Sequence, residues 1–133
     1  MSKYTEVALL AVSLMERGSV HDPVQAWDQA AKRVFPSSAS SQDKGCPKGA
    51  FLGLCNEGLI SGLPPNQYSK ASKNGEYAIR AVEILKGNRF LASQPELLWK
   101  KVAGNTKTQN HQMDVVVALW EAGHIRANGA NDT

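Results

Sequence analysis

A chain of 133 residues buries roughly two thirds of the surface its unfolded form exposes, so a core needs neither disulfide nor metal staples. Its 15 Lys and Arg against 12 Asp and Glu leave a net charge of only +3, and two cysteines are too few for a disulfide framework, so reduced thiols are expected. No basic stretch precedes an uninterrupted apolar run, which argues against a signal peptide or membrane span and for a cytoplasmic protein of one domain, residues 1–133.

Tyr4, Val7, Ala8, Leu10, Ala11, Leu14 and Met15 recur at spacings of three and four and predict a first helix, stopped at Arg17-Gly18. Asp22 offers an acceptor to the free amides of a second helix, Pro23 fits its first turn, and Gln25 stands at the capping-box position; this helix runs to about Phe35. Pro36 to Gly45 is small, polar and aperiodic, a surface loop. A third helix starts at Pro47 and ends at Gly58. Gly62-Leu63-Pro64-Pro65-Asn66 cannot continue it, because successive prolines remove donors and hold the backbone extended.

Ser72 or Asn74 caps a fourth helix, with Tyr77, Ala78, Ala81, Val82 and Leu85 as its apolar stripe. Phe90-Leu91-Ala92 is too short to assign. Ser93-Gln94-Pro95-Glu96 reads as a capping box for a short fifth helix through Val102, and Gly104 to Gln109 as a loop. Asn110 caps a sixth helix, in which Met113, Val115, Val116, Val117, Leu119 and Trp120 run to Gly123. The valines are β-branched, but the length of the run favours a helix.

The expected fold is all-α with about six helices, arranged as two degenerate pseudo-repeats of a three-helix unit. Pro23 precedes Trp27 by four residues as Pro95 precedes Trp99, and the last helix of each half is apolar and stops at a glycine, with the endings Gly58-Leu59-Ile60 and Gly123-His124-Ile125. The halves fall at about 1–63 and 72–126, with 127–133 as a flexible tail. Trp27, Phe51, Trp99 and Trp120 are the expected core anchors, and a buried tryptophan is expected to bring its indole nitrogen to a carbonyl.

Chemistry is sparse in this pattern. The third and sixth helices are apolar on most faces, which suits burial and leaves few side chains to read bases as a helix-turn-helix would. Their N-terminal ends place Lys44 and Lys48, and Lys107 and Asn110, where free amides could meet an anion, although neither stretch has the spacing of a phosphate-cradling loop. Cys46 between two lysines is a weak nucleophile candidate, His111 with Asp114 a weak acid-base pair, and scattered histidines give no metal site and imply no cofactor. Residues 68–108 carry eight basic against three acidic side chains, within which Arg80 with Glu76 and Glu83 forms a surface network.

The run Gly45-Cys46-Pro47-Lys48-Gly49-Ala50-Phe51-Leu52-Gly53-Leu54-Cys55-Asn56-Glu57-Gly58-Leu59-Ile60, with Asn110-His111-Gln112-Met113-Asp114-Val115-Val116-Val117-Ala118-Leu119-Trp120, resembles a family of small uncharacterised bacterial proteins. Some of its relatives travel as cassettes in mobile gene arrays, which implies an accessory role, and the resemblance brings no catalytic residue. The favoured reading is a non-catalytic binding or protein-interaction module, taking a protein partner or a small anionic ligand and no membrane. Sequence-nonspecific nucleic-acid binding through residues 70–107 and the helix N-termini is the alternative, and a small enzyme using Cys46 or His111 and Asp114 the third.

Overall fold

In the computed structural model, which describes residues 2–126, Asp22 accepts a hydrogen bond from the Val24 amide at 3.2 Å and opens a helix with Pro23 in its first turn. The predicted punctuation largely sets the elements. Six helices of nine residues or more follow in order: α1 (Lys3–Glu16), α2 (Pro23–Val34), α3 (Gly45–Asn56), α4 (Lys73–Gly87), α5 (Pro95–Ala103) and α6 (Gln112–Glu121). The described residues are therefore all-α. The expected tail, 127–133, lies outside them.

Three local expectations are corrected, and one unassigned stretch gains a structure. The loop after α2 contains a helical turn, Ala39–Gln42, because Ser38 accepts from the Ser41 amide as a cap. Helix α3 starts at Gly45, not Pro47, since proline is tolerated anywhere in the first turn where its missing donor has no partner to lose. Phe90 lies in a short 3-10 helix, Arg89–Ser93, started by the Asn88 side chain. The capping box at α5 does not form, because the Ser93 hydroxyl donates back to the Phe90 carbonyl and Glu96 accepts from Gln109 instead.

The core lies around α3 and α6, whose buried faces include Phe51, Leu54 and Cys55 on one and Met113, Val115, Val116 and Leu119 on the other. Each such side chain contributes about 1.5–3 kcal/mol by leaving water. Helix α1 packs on α2 and across α6, while α4 packs on α5 and across α3. The first helix of each half thus lies on the last helix of the other. The α3–α4 crossing is unusually close because glycine meets glycine there: a Cβ at Gly53 would stand 2.2 Å from the Gly75 Cα.

Beyond α3 and α6 the chain turns through Gly58 and Gly123, with φ of 78° and 80°, and Ile60 and Ile125 pair as an antiparallel bridge. The Ser61 amide donates to the His124 carbonyl at 2.8 Å and the Arg126 amide to the Leu59 carbonyl at 2.9 Å. Exchanging residue 59 with 124 and 61 with 126 converts one hydrogen bond into the other. The two glycines differ in surroundings. A Cβ at Gly58 would lie 2.9 Å from Pro65, whereas at Gly123 it would meet nothing within 4 Å among the described residues. Both alanine variants must strain at positive φ, at about 1–2 kcal/mol. Gly58→Ala is therefore expected to lower the urea midpoint clearly more than Gly123→Ala; equal midpoints would remove Pro65 from the explanation.

Asn56 ties the two halves' connection to the end of α3. Its side-chain oxygen accepts from the Tyr68 and Ser69 amides, and its amide group donates to the Ser69 carbonyl and hydroxyl. The proline segment is fixed by side-chain bonds where no helix can form.

Candidate functional site

The N-terminal ends of α3 and α6 meet, and the meeting brings together residues far apart in the chain. The Asn110 side-chain amide donates to the Cys46 sulfur at 3.6 Å. The next residue, His111, starts α6 with a left-handed backbone at φ 68°, a conformation that histidine adopts more readily than most non-glycine residues. Its Nδ1 lies 2.9 Å from Asp114, whose carboxylate also accepts from the Ser2 hydroxyl at 2.7 Å. Tyr4 packs against the imidazole, with ring centroids 4.9 Å apart, and donates to the Ser41 carbonyl. Burial pushes the Tyr4 phenol up, opposed by that bond to Ser41.

This arrangement satisfies its own polarity. Asp114 supplies a negative charge to the positive end of α6, and Gln109 accepts from the Met113 amide there. Gln112, only 4% exposed, reaches Asn74 across the seam at 3.0 Å. At α3, Pro47 removes one first-turn donor, and Lys48 is paired with Asp28 at 2.9 Å. Lys44 stands at the N-cap of α3 without a side-chain cap bond. Lys107 points elsewhere: its ammonium lies 5.7 Å from the centre of the Tyr77 ring, with Lys73 at 5.9 Å from the same ring. Gly49 gives close passage to α4, where a Cβ would meet that of Asn74 at 3.0 Å.

The two thiols are free and differ in access. Cys46 is half-buried, whereas Cys55 is fully buried and burial pushes its thiol well up. A thiol reagent is expected to modify one cysteine per native chain, Cys46, and the second only in denaturant. Fast modification of both in the folded protein would contradict this packing.

A cleft of about 430 Å³ opens elsewhere, between the end of α1 and the segment after α3. Val12, Met15, Val20, Ile60 and Leu63 give it an apolar lining, and Glu16, His21 and Ser61 add polar groups. It adjoins the Ile60–Ile125 bridge, and His124 lies 3.8 Å from Glu16. Spacing gave no sign of this cleft, because its two walls are separated by all of α2 and α3.

Among the expected anchors, Trp27, Phe51 and Trp99 are buried and Trp120 is half-buried against the core. The Trp99 indole donates to the Lys107 carbonyl at 2.8 Å, but the buried Trp27 nitrogen has no hydrogen-bond partner among the described residues. The Arg80 network is absent, since no ion pair joins Arg80 to Glu76 or Glu83 among the described residues. The described residues also hold no group of three His, Cys, Asp or Glu side chains placed to bind a metal, and no helix long and apolar enough to cross a membrane.

No curated protein and no solved structure matches the chain. Residues 1–126 match a family of unknown function (DUF6979), and the chain belongs to that family.

Proposed function

We propose that this member of the family is a protein-interaction module whose partner site is the cleft between α1 and the segment following α3. The observation that carries the reading is the cleft itself: about 430 Å³, with a mixed lining in which Val12, Met15, Val20, Ile60 and Leu63 stand beside the polar groups of Glu16, His21 and Ser61. A pocket of that size and lining suits one or two apolar side chains of a partner segment, with the polar groups fixing its direction. The Cys46, His111 and Asp114 cluster plays no part in this reading, and neither do Lys48 and Lys107, which already face Asp28 and Tyr77.

The proposal extends to origin. A divergent duplication of 1–63 and 72–126 within one domain is supported by the interchangeable hydrogen bonds at Ile60 and Ile125 and by the crossed packing of α1 on α6 and α4 on α3. A cytoplasmic accessory protein of bacterial, mobile-gene origin is the setting proposed for it.

The test is a tagged pull-down from host lysate, with nuclease, comparing wild type with Ser61→Trp, which plugs the cleft from an exposed position. Proteins held by wild type and reduced about tenfold by the plug, with unchanged circular dichroism, are expected. Identical captures by both proteins would end the cleft reading.

A second reading, nucleic-acid binding by residues 70–107, is favoured by a separate observation. Lys73 and Lys107 bracket one half-buried tyrosine, and the surrounding segment has eight basic against three acidic residues. Such a surface neutralises phosphates without reading sequence.

A further inference from the structure

We infer that the 3-10 turn Arg89–Ser93 is a stacking platform for an unpaired base of single-stranded nucleic acid, with Phe90 as the ring; this rests on the second reading above. Phe90 is 78% exposed, although the residues after it, Leu91 and Ala92, are buried and fix the turn to the core. The backbone of Phe90 is held on both sides. Its amide donates to the Asn88 side chain at 3.2 Å, and its carbonyl accepts from the Ser93 hydroxyl at 2.8 Å. A large apolar ring is thus kept in water on a stretch of backbone that those two bonds hold in place.

Charge selects the occupant. Arg89 adjoins the ring in sequence, Lys86 lies in the last turn of the preceding helix, and α5, which packs against the turn, brings exposed Lys100 and Lys101. Two acids on these elements offset part of this charge: Glu96, which accepts from the neutral Gln109 amide at 2.6 Å and stays negative, and Glu83, a turn before Lys86. Basic side chains on the turn and on the elements flanking it suit the phosphates on either side of a stacked base. A duplex hides its base faces within its own stack, so the ring can reach a base only in a single strand.

The experiment is fluorescence anisotropy of the full chain with a short labelled single-stranded DNA and with its duplex, from low to physiological salt. Wild type is expected to prefer the single strand, with affinity falling as salt rises. Phe90→Ser should weaken single-strand binding about tenfold, Phe90→Tyr should retain it, and neither should alter the circular dichroism. Equal binding by Phe90→Ser and wild type overturns the platform while leaving the basic-segment reading standing. Absence of wild-type binding at low salt overturns both, and Phe90-dependent binding to phosphatidylserine vesicles in its place would assign the ring to a membrane surface.

Discussion

Gly53→Ala is expected to destabilise the protein by about 3 kcal/mol or more, a large part of the roughly 5–15 kcal/mol that holds a domain folded. An alanine inside a helix normally gains about 1 kcal/mol over glycine, so propensity alone predicts the opposite sign. Packing decides it. The new methyl group would stand 2.2 Å from the Gly75 Cα and 2.9 Å from the Gly75 carbonyl carbon and oxygen, all backbone atoms that no rotamer change can move. Helices α3 and α4 would have to separate, and with them the contacts that join the halves. Gly75→Ala is the control. Its Cβ would meet the Gly53 Cα at 3.0 Å and other atoms only at 3.4 Å, so a cost of about 1 kcal/mol is expected. Urea denaturation measures both, and a Gly53→Ala midpoint at or above wild type would refute the close crossing.

Phe51→Ala is expected to cost about 3–5 kcal/mol, because the ring is fully buried and the cavity left behind is walled by helices that cannot collapse freely. Its centroid lies 5.2 Å from that of Trp27, so the pair couples α2 to α3. A double-mutant cycle should find about 0.5–1.5 kcal/mol of coupling between the two rings. The tryptophans make a further contrast. Trp27→Phe removes a buried nitrogen that has no partner among the described residues, while Trp99→Phe leaves the Lys107 carbonyl without its donor. Trp99→Phe should therefore be the more damaging of the two, by about 1 kcal/mol. A larger loss at Trp27 would mean that its indole nitrogen is satisfied in solution.

Much of the helical order was legible because it is written in local chemistry. Asp22 and Ser72 can cap, Pro23 and Pro95 can start, and Gly18, Gly58 and Gly123 can adopt the positive φ that ends a helix. Where two local partners compete, the sequence was ambiguous. Ser93 had both a capping role at α5 and a bond back to Phe90 available, and the second is the one made. The same holds for Asn110, expected as the cap of α6, whose side chain turns to Cys46 and leaves the cap position to His111.

The candidate sites were legible only in fragments. Cys46 and Asn110 stand out separately at helix starts and His111 with Asp114 as a pair, and the convergence of all four depends on how α3 and α6 cross. The cleft left no trace in any spacing, since Val12 and Leu63 become neighbours only when the chain after α3 returns to α1. Phe90 could not be told from a core residue, because a three-residue apolar run carries no period from which to read a face.

By itself, then, the sequence determined the helices and the glycine turns, since capping, proline placement and backbone sterics act within a few residues and owe nothing to distant neighbours. Tertiary structure alone decided which glycines are packing surfaces, which tryptophan finds a partner, and where a cleft or an exposed ring remains. Those outcomes depend on the relative placement of helices, which is set by the summed burial of the whole core.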